Sequence, residues 1–220
     1  MRDVVFRLMA HLHDCWHCGA KDAASLFCRY CNTIQAPTPD YYEFFDLPRR
    51  LGLDSEDLKN RFYTLSRLLH PDRYTRRSEQ EKRFSLEASS ILNDAYRVLK
   101  DPIQRAEYVL RQEGFPVGDQ RNKDVPPELL EEVFELNMAL DELRGGDLEV
   151  LPQLDAMRRR FVGMLGEIDR ELEAMFARHD AAPEEARRQI LAEIRAALNR
   201  RRYISNLVQE VDKQLAARNA

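Results

Sequence analysis

Four cysteines stand in two pairs, Cys15-x2-Cys18 and Cys28-x2-Cys31, with nine residues between the pairs. Each pair can turn two thiolates onto one ion, and two pairs complete a tetrahedral four-sulfur shell. The chain holds no other cysteine, and such clustering favours a local metal site over a disulfide framework. The expected cofactor is one structural Zn2+ per chain, with Cys15, Cys18, Cys28 and Cys31 as ligands. Iron or redox-active thiols are the alternatives, since soft four-sulfur sites accept both chemistries. A disulfide pair suits a reducing compartment poorly. His11, His13 and His17 are weaker candidates, because four thiolates already fill the shell and His17 lies inside a CxxC. Residues 1–36 contain little else to bury, and so short a segment usually needs a metal to fold. Stabilisation, weak self-association and partner contact all remain open as roles for this knuckle.

The second chemical grouping is His70-Pro71-Asp72, followed by Arg73. Pro71 fixes its own φ and biases His70 away from the α region, so a helix entering the tripeptide stops near Leu69. An imidazole and a carboxylate are then offered from a constrained turn. They could work as an acid–base pair, but no nucleophile or phosphate loop lies around them. No catalytic residue is assigned, and the chain is not expected to be an enzyme. Presentation to a partner is the better use. Leu58, Phe62, Leu65 and Leu69 recur on one face of the preceding helix, while Lys59, Arg61 and Arg67 also lie on that helix. With Arg73 they make a basic surface that would steer an acidic partner and make the encounter salt-sensitive. In isolation such a tripeptide would merely end a helix. Here a basic helix precedes it, a capped helix follows, and the aromatic segment of Tyr41, Phe44 and Phe45 lies ahead.

The elements that position these groups can be read from local signals. Pro37, Pro39 and Asp40 break the chain after the cysteine region. Tyr41 to Asp46 reads as a short helix and Asp54 to Leu69 as a longer one. Ser78 and Glu81 form a capping box for a third, with Phe84, Ala88, Ile91, Leu92, Ala95, Val98 and Leu99 inward. Asp101-Pro102 caps a fourth, which Gly114 ends. The segment 115–126 reads as a linker or ordered loop. Helices are expected from Pro127 to Arg144, from about Leu148 to Arg178, and from Pro183 to about Leu215, with short connections that imply antiparallel neighbours. The expected fold is all-α: a helical hairpin, a C-terminal three-helix bundle and a small N-terminal zinc knuckle. The divisions are 1–36 for the knuckle, 40–114 for the hairpin domain, 115–126 for the linker and 127–220 for the bundle.

Bulk composition excludes several classes. Hydrophobic residues make up 44% and charged residues 33%, which suits ordinary cores with solvated helix faces. No stretch approaches the roughly 20 apolar residues of a membrane span. Met1 to His13, interrupted by Asp3, Arg7 and His11, reads as too short and too polar for a secretory signal. A net charge of −4 argues against a general nucleic-acid binder. Arg158-Arg159-Arg160 and Arg200-Arg201-Arg202 are basic runs, but acidic residues flank both, and solvated helix faces are expected. Trp16, the single tryptophan, is expected to pack the knuckle.

Residues 40–113 resemble a J-domain, the module that activates the ATPase of seventy-kilodalton heat-shock chaperones. The match narrows further on. Arg105-Ala106-Glu107-Tyr108-Val109-Leu110 with Gly114-Phe115, and Asn93-Asp94-Ala95-Tyr96 with Leu99, resemble segments of the HscB family. The stretch from Glu135 to Leu143 is similar to its acidic first bundle helix, and the cysteine pattern resembles the zinc extension of the animal members. The resemblance implies a co-chaperone of iron–sulfur cluster assembly. It would bind an IscU-type scaffold through the bundle, deliver it to an HscA- or DnaK-type chaperone, and stimulate ATP hydrolysis there through His70, Pro71, Asp72 and the basic surface. Membership implies the bacterial cytoplasm, or the mitochondrial matrix in a eukaryote. The scaffold would meet Leu130, Glu131, Phe134, Glu135, Met138 and Glu142, joined by Tyr203 from the last helix. Glu131 replaces the family's usual Met, and Met138 one of its usual acids. Residues 130, 134, 138 and 142 share a helix face, and the same apolar stripe would serve equally as bundle core. A generic J-protein for unfolded clients, and a CxxC-based metal, redox or nucleic-acid-binding protein, are the rival readings. The first lacks a Gly/Phe-rich linker and a β-rich client domain.

Overall fold

The computed structural model describes residues 12–23, 25–116 and 129–216. Thus His11, most of the expected linker and Pro127 lie outside the described residues. Contacts divide the chain into one compact unit ending at Arg105 and a second beginning at Ala106.

The first unit opens with an antiparallel ribbon, β1 (Leu12–Asp14) and β2 (Lys21–Ala23), in which His13 faces Asp22. A second small hairpin is closed by a bridge between Phe27 and Ile34. Helix α1 (Tyr41–Phe44) starts where Asp40 accepts from the amides of Tyr42 and Glu43. It ends with Asp46 in the left-handed region at φ 52°, the amides of Asp46 and Leu47 returning to Glu43 and Tyr42. That is the turn with which helices commonly close. Tyr42, Phe44 and Phe45 are buried.

Helix α2 (Ser55–Leu69) is capped by Asp54 as expected. A 3-10 turn over Pro71–Tyr74 follows, then α3 (Glu79–Lys100), which carries the full Ser78–Glu81 capping box. The two helices form an antiparallel hairpin, and α1 packs on α3. Leu58 and Leu69 are buried, while Phe62 stacks on Tyr96 of α3 at 4.2 Å. Asp101 accepts from the amides of Ile103 and Gln104 and so starts α4 (Pro102–Gln112). Gly114, at φ 75°, closes it: the amides of Gly114 and Phe115 return to Arg111 and Leu110.

Arg105 is buried at 7% exposure. Its Nε donates to the Leu51 carbonyl at 2.7 Å and one terminal nitrogen to the Leu99 carbonyl at 2.5 Å. The loop before α2 is thereby tied to the end of α3. Arg105→Met keeps the stem but leaves two acceptors without this donor. We expect a loss of about 2–4 kcal/mol in denaturant titration, with the midpoint falling and the slope unchanged.

The second unit is built on α5 (Leu130–Arg144), α6 (Leu151–Ala181) and α7 (Glu184–Ala216). Helix α5 packs on α6, and α6 on α7. Gly146, at φ 96°, ends α5 by the same amide-return motif. Helix α6 begins three residues after the expected Leu148, because Asp147 accepts from the Glu149 amide and holds a turn there. The core of α5 is Leu136, Ala139, Leu140 and Leu143. The buried set of this unit also includes Leu154, Phe161, Ile168 and Leu172 of α6 and Ile194, Leu198 and Ile204 of α7.

The basic runs do more than solvate helix faces. Arg158 pairs with Asp212, Arg200 with Glu171, and Arg201 with Asp169, all between α6 and α7. Arg160 reaches Glu132 of α5 at 2.6 Å, and Arg202 reaches Glu107 of α4 at 2.5 Å. Arg159 pairs within its own helix with Asp155. The carboxyl of Asp212 raises the Arg158 guanidinium above its ordinary value by hydrogen bonding. All six arginines thus have acidic partners, which leaves neither run as a bare cationic stripe for nucleic acid. Exposed pairs of this kind contribute little stability individually. No described helix is long and apolar enough to cross a membrane.

Candidate functional site

The turn after α2 is held from behind and open in front. Helix ends leave orphan carbonyls, and Pro71 supplies no amide to satisfy them. Two serines one helical turn apart on α3 do so instead: Ser85 Oγ donates to the Leu69 carbonyl at 2.7 Å and Ser89 Oγ at 3.0 Å. The Tyr74 hydroxyl donates to the Leu68 carbonyl at 3.2 Å. Burial raises the Tyr74 phenol above its ordinary value. The sequence alone singles out none of these three residues.

His70 leaves the helix at φ −57°, ψ 127°, the extended conformation that a following proline imposes. Its Nδ1 accepts from the Asp72 amide at 3.3 Å and lies 3.5 Å from Asp72 Oδ2. One ring nitrogen cannot do both. A neutral ring accepts from the amide and carries its proton on Nε2; a protonated ring turns the contact into an ion pair. The side chains of His70 and Asp72 are 58% and 85% exposed, so both groups face solvent.

The basic residues differ in what they do. Arg67 and Arg73 are exposed, with Arg67 Nε donating to the Tyr63 carbonyl at 3.3 Å. Lys59 pairs with Glu56 at 3.7 Å. Arg61 is half committed to the fold: it pairs with Asp57 at 2.9 Å and donates to the carbonyls of Phe45 and Asp46 at the end of α1.

The cysteines converge. The sulfurs of Cys15, Cys18, Cys28 and Cys31 all lie within 4.8 Å of one another, and all four are free thiols. Cys15 and Cys31 are 3.6 Å apart and Cys18 and Cys28 3.8 Å apart. A tetrahedron of sulfurs about 2.3 Å from a central Zn2+ has edges of roughly 3.8 Å, so the donor set fits a soft dication. The two knuckles repeat one design. In each, the first cysteine's carbonyl accepts from the residue four further on, Gly19 at 2.9 Å or Asn32 at 2.8 Å. Those residues sit at φ 72° and φ 55°, where glycine and asparagine are the tolerated types. In each, the first cysteine's amide donates to the residue five further on, Ala20 or Thr33.

Donors surround the sulfurs. The Tyr30 amide reaches Cys28 Sγ and Gln35 Nε2 reaches Cys15 Sγ, both at 3.4 Å. The Thr33 hydroxyl and amide hold the Cys31 thiol down to about 5. The Cys18 amide likewise lowers Cys15. The Ala20 amide pulls Cys18 down, but desolvation and the neighbouring thiols outweigh it and push Cys18 up to about 12. Four thiolates cannot all ionise at this spacing without a cation between them. His17 stays exposed with its ring edge against Trp16; it is not one of the four converging ligands, and its side chain helps lower the Cys31 thiol by hydrogen bonding. His13 is exposed on β1. Trp16 packs the knuckle: its Nε1 donates to the Ile34 carbonyl at 2.7 Å.

The stripe on α5 faces outward. Leu130, Phe134 and Met138 are 55%, 66% and 50% exposed, which rules them out as bundle core. Glu131, Glu135 and Glu142 are exposed too. The neighbouring acids Glu132 and Asp141 are taken by Arg160 and Arg144. Tyr203 stands half-buried on α7, its phenol raised by burial. No ring contact joins it to Phe134 among the described residues.

An antiparallel hairpin whose tip displays a braced His-Pro-Asp turn defines a J-domain, and the DnaJ domain family model matches residues 40–108. A second family model, the HSCB C-terminal oligomerisation domain, matches residues 125–212. The chain is 35% identical over 136 residues to the co-chaperone protein HscB homolog of Vibrio vulnificus, covering 60% of this chain and 80% of that protein. The chain belongs to the HscB family. It is also 35% identical over 134 residues to the human iron-sulfur cluster co-chaperone protein HscB, covering 58% of this chain and 57% of that protein. The match therefore spans little more than half the length of the human relative. The crystal structure of human co-chaperone protein HscB is similar with a TM-score of 0.70 at 27% identity, covering 92% of this chain and 98% of that one. Chaperone HscB from Vibrio cholerae is similar with a TM-score of 0.55 at 25% identity, covering 79% and 96% respectively.

Proposed function

We propose that this chain is a co-chaperone of iron–sulfur cluster assembly that performs no chemistry of its own. Its exposed α5 stripe, Leu130, Glu131, Phe134, Glu135, Met138 and Glu142, with Tyr203 from α7, takes an IscU-type scaffold. Its His70-Pro71-Asp72 turn, with Lys59, Arg61, Arg67 and Arg73, engages an HscA- or DnaK-type chaperone and stimulates ATP hydrolysis on it. The observation that carries this reading is the outward display of His70 and Asp72 on a turn whose backbone is tied to α3. The apolar, acidic α5 face supports the scaffold half. Contiguous exposed apolar side chains mark docking surfaces, and these are flanked by the exposed acids Glu131, Glu135 and Glu142, which form no ion pair among the described residues. A generic J-protein is disfavoured by the HscB-type C-terminal match.

The direct test is ATP turnover by a cognate seventy-kilodalton chaperone titrated with this chain, with and without scaffold. Stimulation that rises further when scaffold is added supports the reading. No stimulation at any ratio rejects it.

In this reading the tetracysteine knuckle holds one structural Zn2+. Bound there, the ion neutralises the thiolates and crosslinks the two hairpins. Elemental analysis should find about one zinc per chain. A strong chelator should unravel residues 12–36 and leave the helical signal of α2 and α3, since their caps and core are independent of the sulfurs. Metal should also leave on acidification, because each thiolate must regain a proton. A metal-free chain that keeps the ribbon ordered would refute the assignment.

A further inference from the structure

We infer that the tetracysteine knuckle is a brace for the His-Pro-Asp turn, with Trp16 and Phe84 as its positioning residues. This rests on the proposed activity of that turn and assigns the knuckle a part in it. Both lie in the first compact unit. A cleft of about 290 Å³ is lined on one side by Cys31, Thr33 and Ile34 and on the other by Leu68, Arg73 and Tyr74. The wall from the knuckle is firm: Ile34 is 1% exposed and Thr33 9%. It is also tied to the sulfurs, because Thr33 Oγ1 lies 3.3 Å from Cys31 Sγ. Facing it, Tyr74 ends the turn and holds the Leu68 carbonyl.

A second tie runs behind the turn. The Trp16 indole links the two hairpins through its donation to Ile34. Its ring stands edge-on to Phe84 of α3, with centroids 6.1 Å apart. Phe84 adjoins Ser85, the residue that holds the Leu69 carbonyl immediately before His70. The path from sulfur to His70 is therefore continuous, through Thr33 and Ile34, Trp16, Phe84 and Ser85. A small metal-dependent segment has no rigid form without its ion. Losing the ion would release Trp16 and Thr33 together: the turn would lose the tie through Phe84 and Ser85, and the cleft beside it would lose its fixed wall.

A loosened turn keeps its chemistry but is competent for a smaller fraction of the time. The partner then binds more weakly by that fraction, while the bound complex reacts as before. Two readouts follow. In the full-length zinc-loaded chain, Trp16→Ala should speed amide exchange at Asp72, Arg73 and Tyr74 by about three- to tenfold, the factor expected for loss of an aromatic edge contact. The concentration for half-maximal chaperone stimulation should rise by a similar factor, and the maximal rate should hold. Trp16→Phe, which keeps a ring edge, should recover most of both, and Tyr30→Ala on the exposed tip should change neither. Chelating zinc from the unaltered chain should give the same exchange signature. If Trp16→Ala loses zinc, Phe84→Leu, which lies outside the knuckle, carries the test with the same expected result.

Unchanged exchange at residues 72–74 in both the chelated chain and the variant that retains zinc overturns the brace. A fallen maximal rate with unchanged half-saturation also overturns it. Faster exchange in a chain that never stimulates a chaperone upholds the brace and defeats the proposed function instead.

Discussion

His70→Gln is expected to abolish the proposed chaperone stimulation while the protein stays folded and still captures the proposed scaffold. The expectation has three parts, each with a physical basis. First, folding survives because the side chain is 58% exposed and bonds locally, to the Asp72 amide within the turn; exposed substitutions of this kind usually stay within about 0.5 kcal/mol. The end of α2 is set by Pro71 and by the serine donors to Leu69, not by the imidazole. Second, scaffold capture survives because the residues proposed for it stand on α5 and α7, in the other compact unit. Third, the glutamine amide cannot repeat what the ring does. In the neutral form Nδ1 is occupied by the Asp72 amide, which leaves Nε2 as the group for a partner, on a rigid plane. Glutamine offers a flexible amide with rotamers to lose. Single-turnover hydrolysis by the chaperone, with and without the variant, measures this. Stimulation equal to the unaltered chain would reject the turn as the activating element, and a lowered melting temperature would show that His70 carries structure after all.

Phe134→Ala combined with Tyr203→Ala is expected to weaken the proposed scaffold binding by at least about thirtyfold, the scale of losing aromatic anchors from an interface centre. Phe134 is the most exposed of the three apolar residues on α5, so its truncation removes contact surface without opening a cavity. Tyr203 is half-buried, and its truncation is expected to lower stability by about 1 kcal/mol. Phe134→Ala alone therefore separates binding from folding. Calorimetric titration with scaffold gives the affinity, and thermal unfolding gives the control. Stimulation of the chaperone without scaffold should be unaffected by Phe134→Ala. Equal scaffold affinity in the double variant would move the site off this face.

Much was legible in the chain before any contact was known, and the legible part is local. Pro71 dictates the break at Leu69, Ser78 and Glu81 announce the start of α3, Asp101-Pro102 starts α4, and each CxxC sets its own two cysteines on one knuckle. Each depends on atoms a few residues apart, whose geometry a short sequence window determines. The J-domain and the HscB character were readable for the same reason, as short strings in fixed positions. What tertiary structure alone decided concerns partners distant in sequence. Helix α5 carries apolar side chains on two faces, and its composition does not say which one the bundle takes. The packing against α6 buries Leu136, Leu140 and Leu143 and leaves Leu130, Phe134 and Met138 in solvent. The arginine triplets read as solvated faces until Asp212, Glu171, Asp169, Glu132 and Glu107 came opposite them from other helices. Ser85 and Ser89 carried no reading from the sequence; only the end of α2, brought against them, gave them an orphan carbonyl. A one-dimensional pattern fixes phase and stop signals within an element. Which face meets which, and therefore which polar atom finds a partner, is set only when elements far apart in the chain compete for the same buried surface.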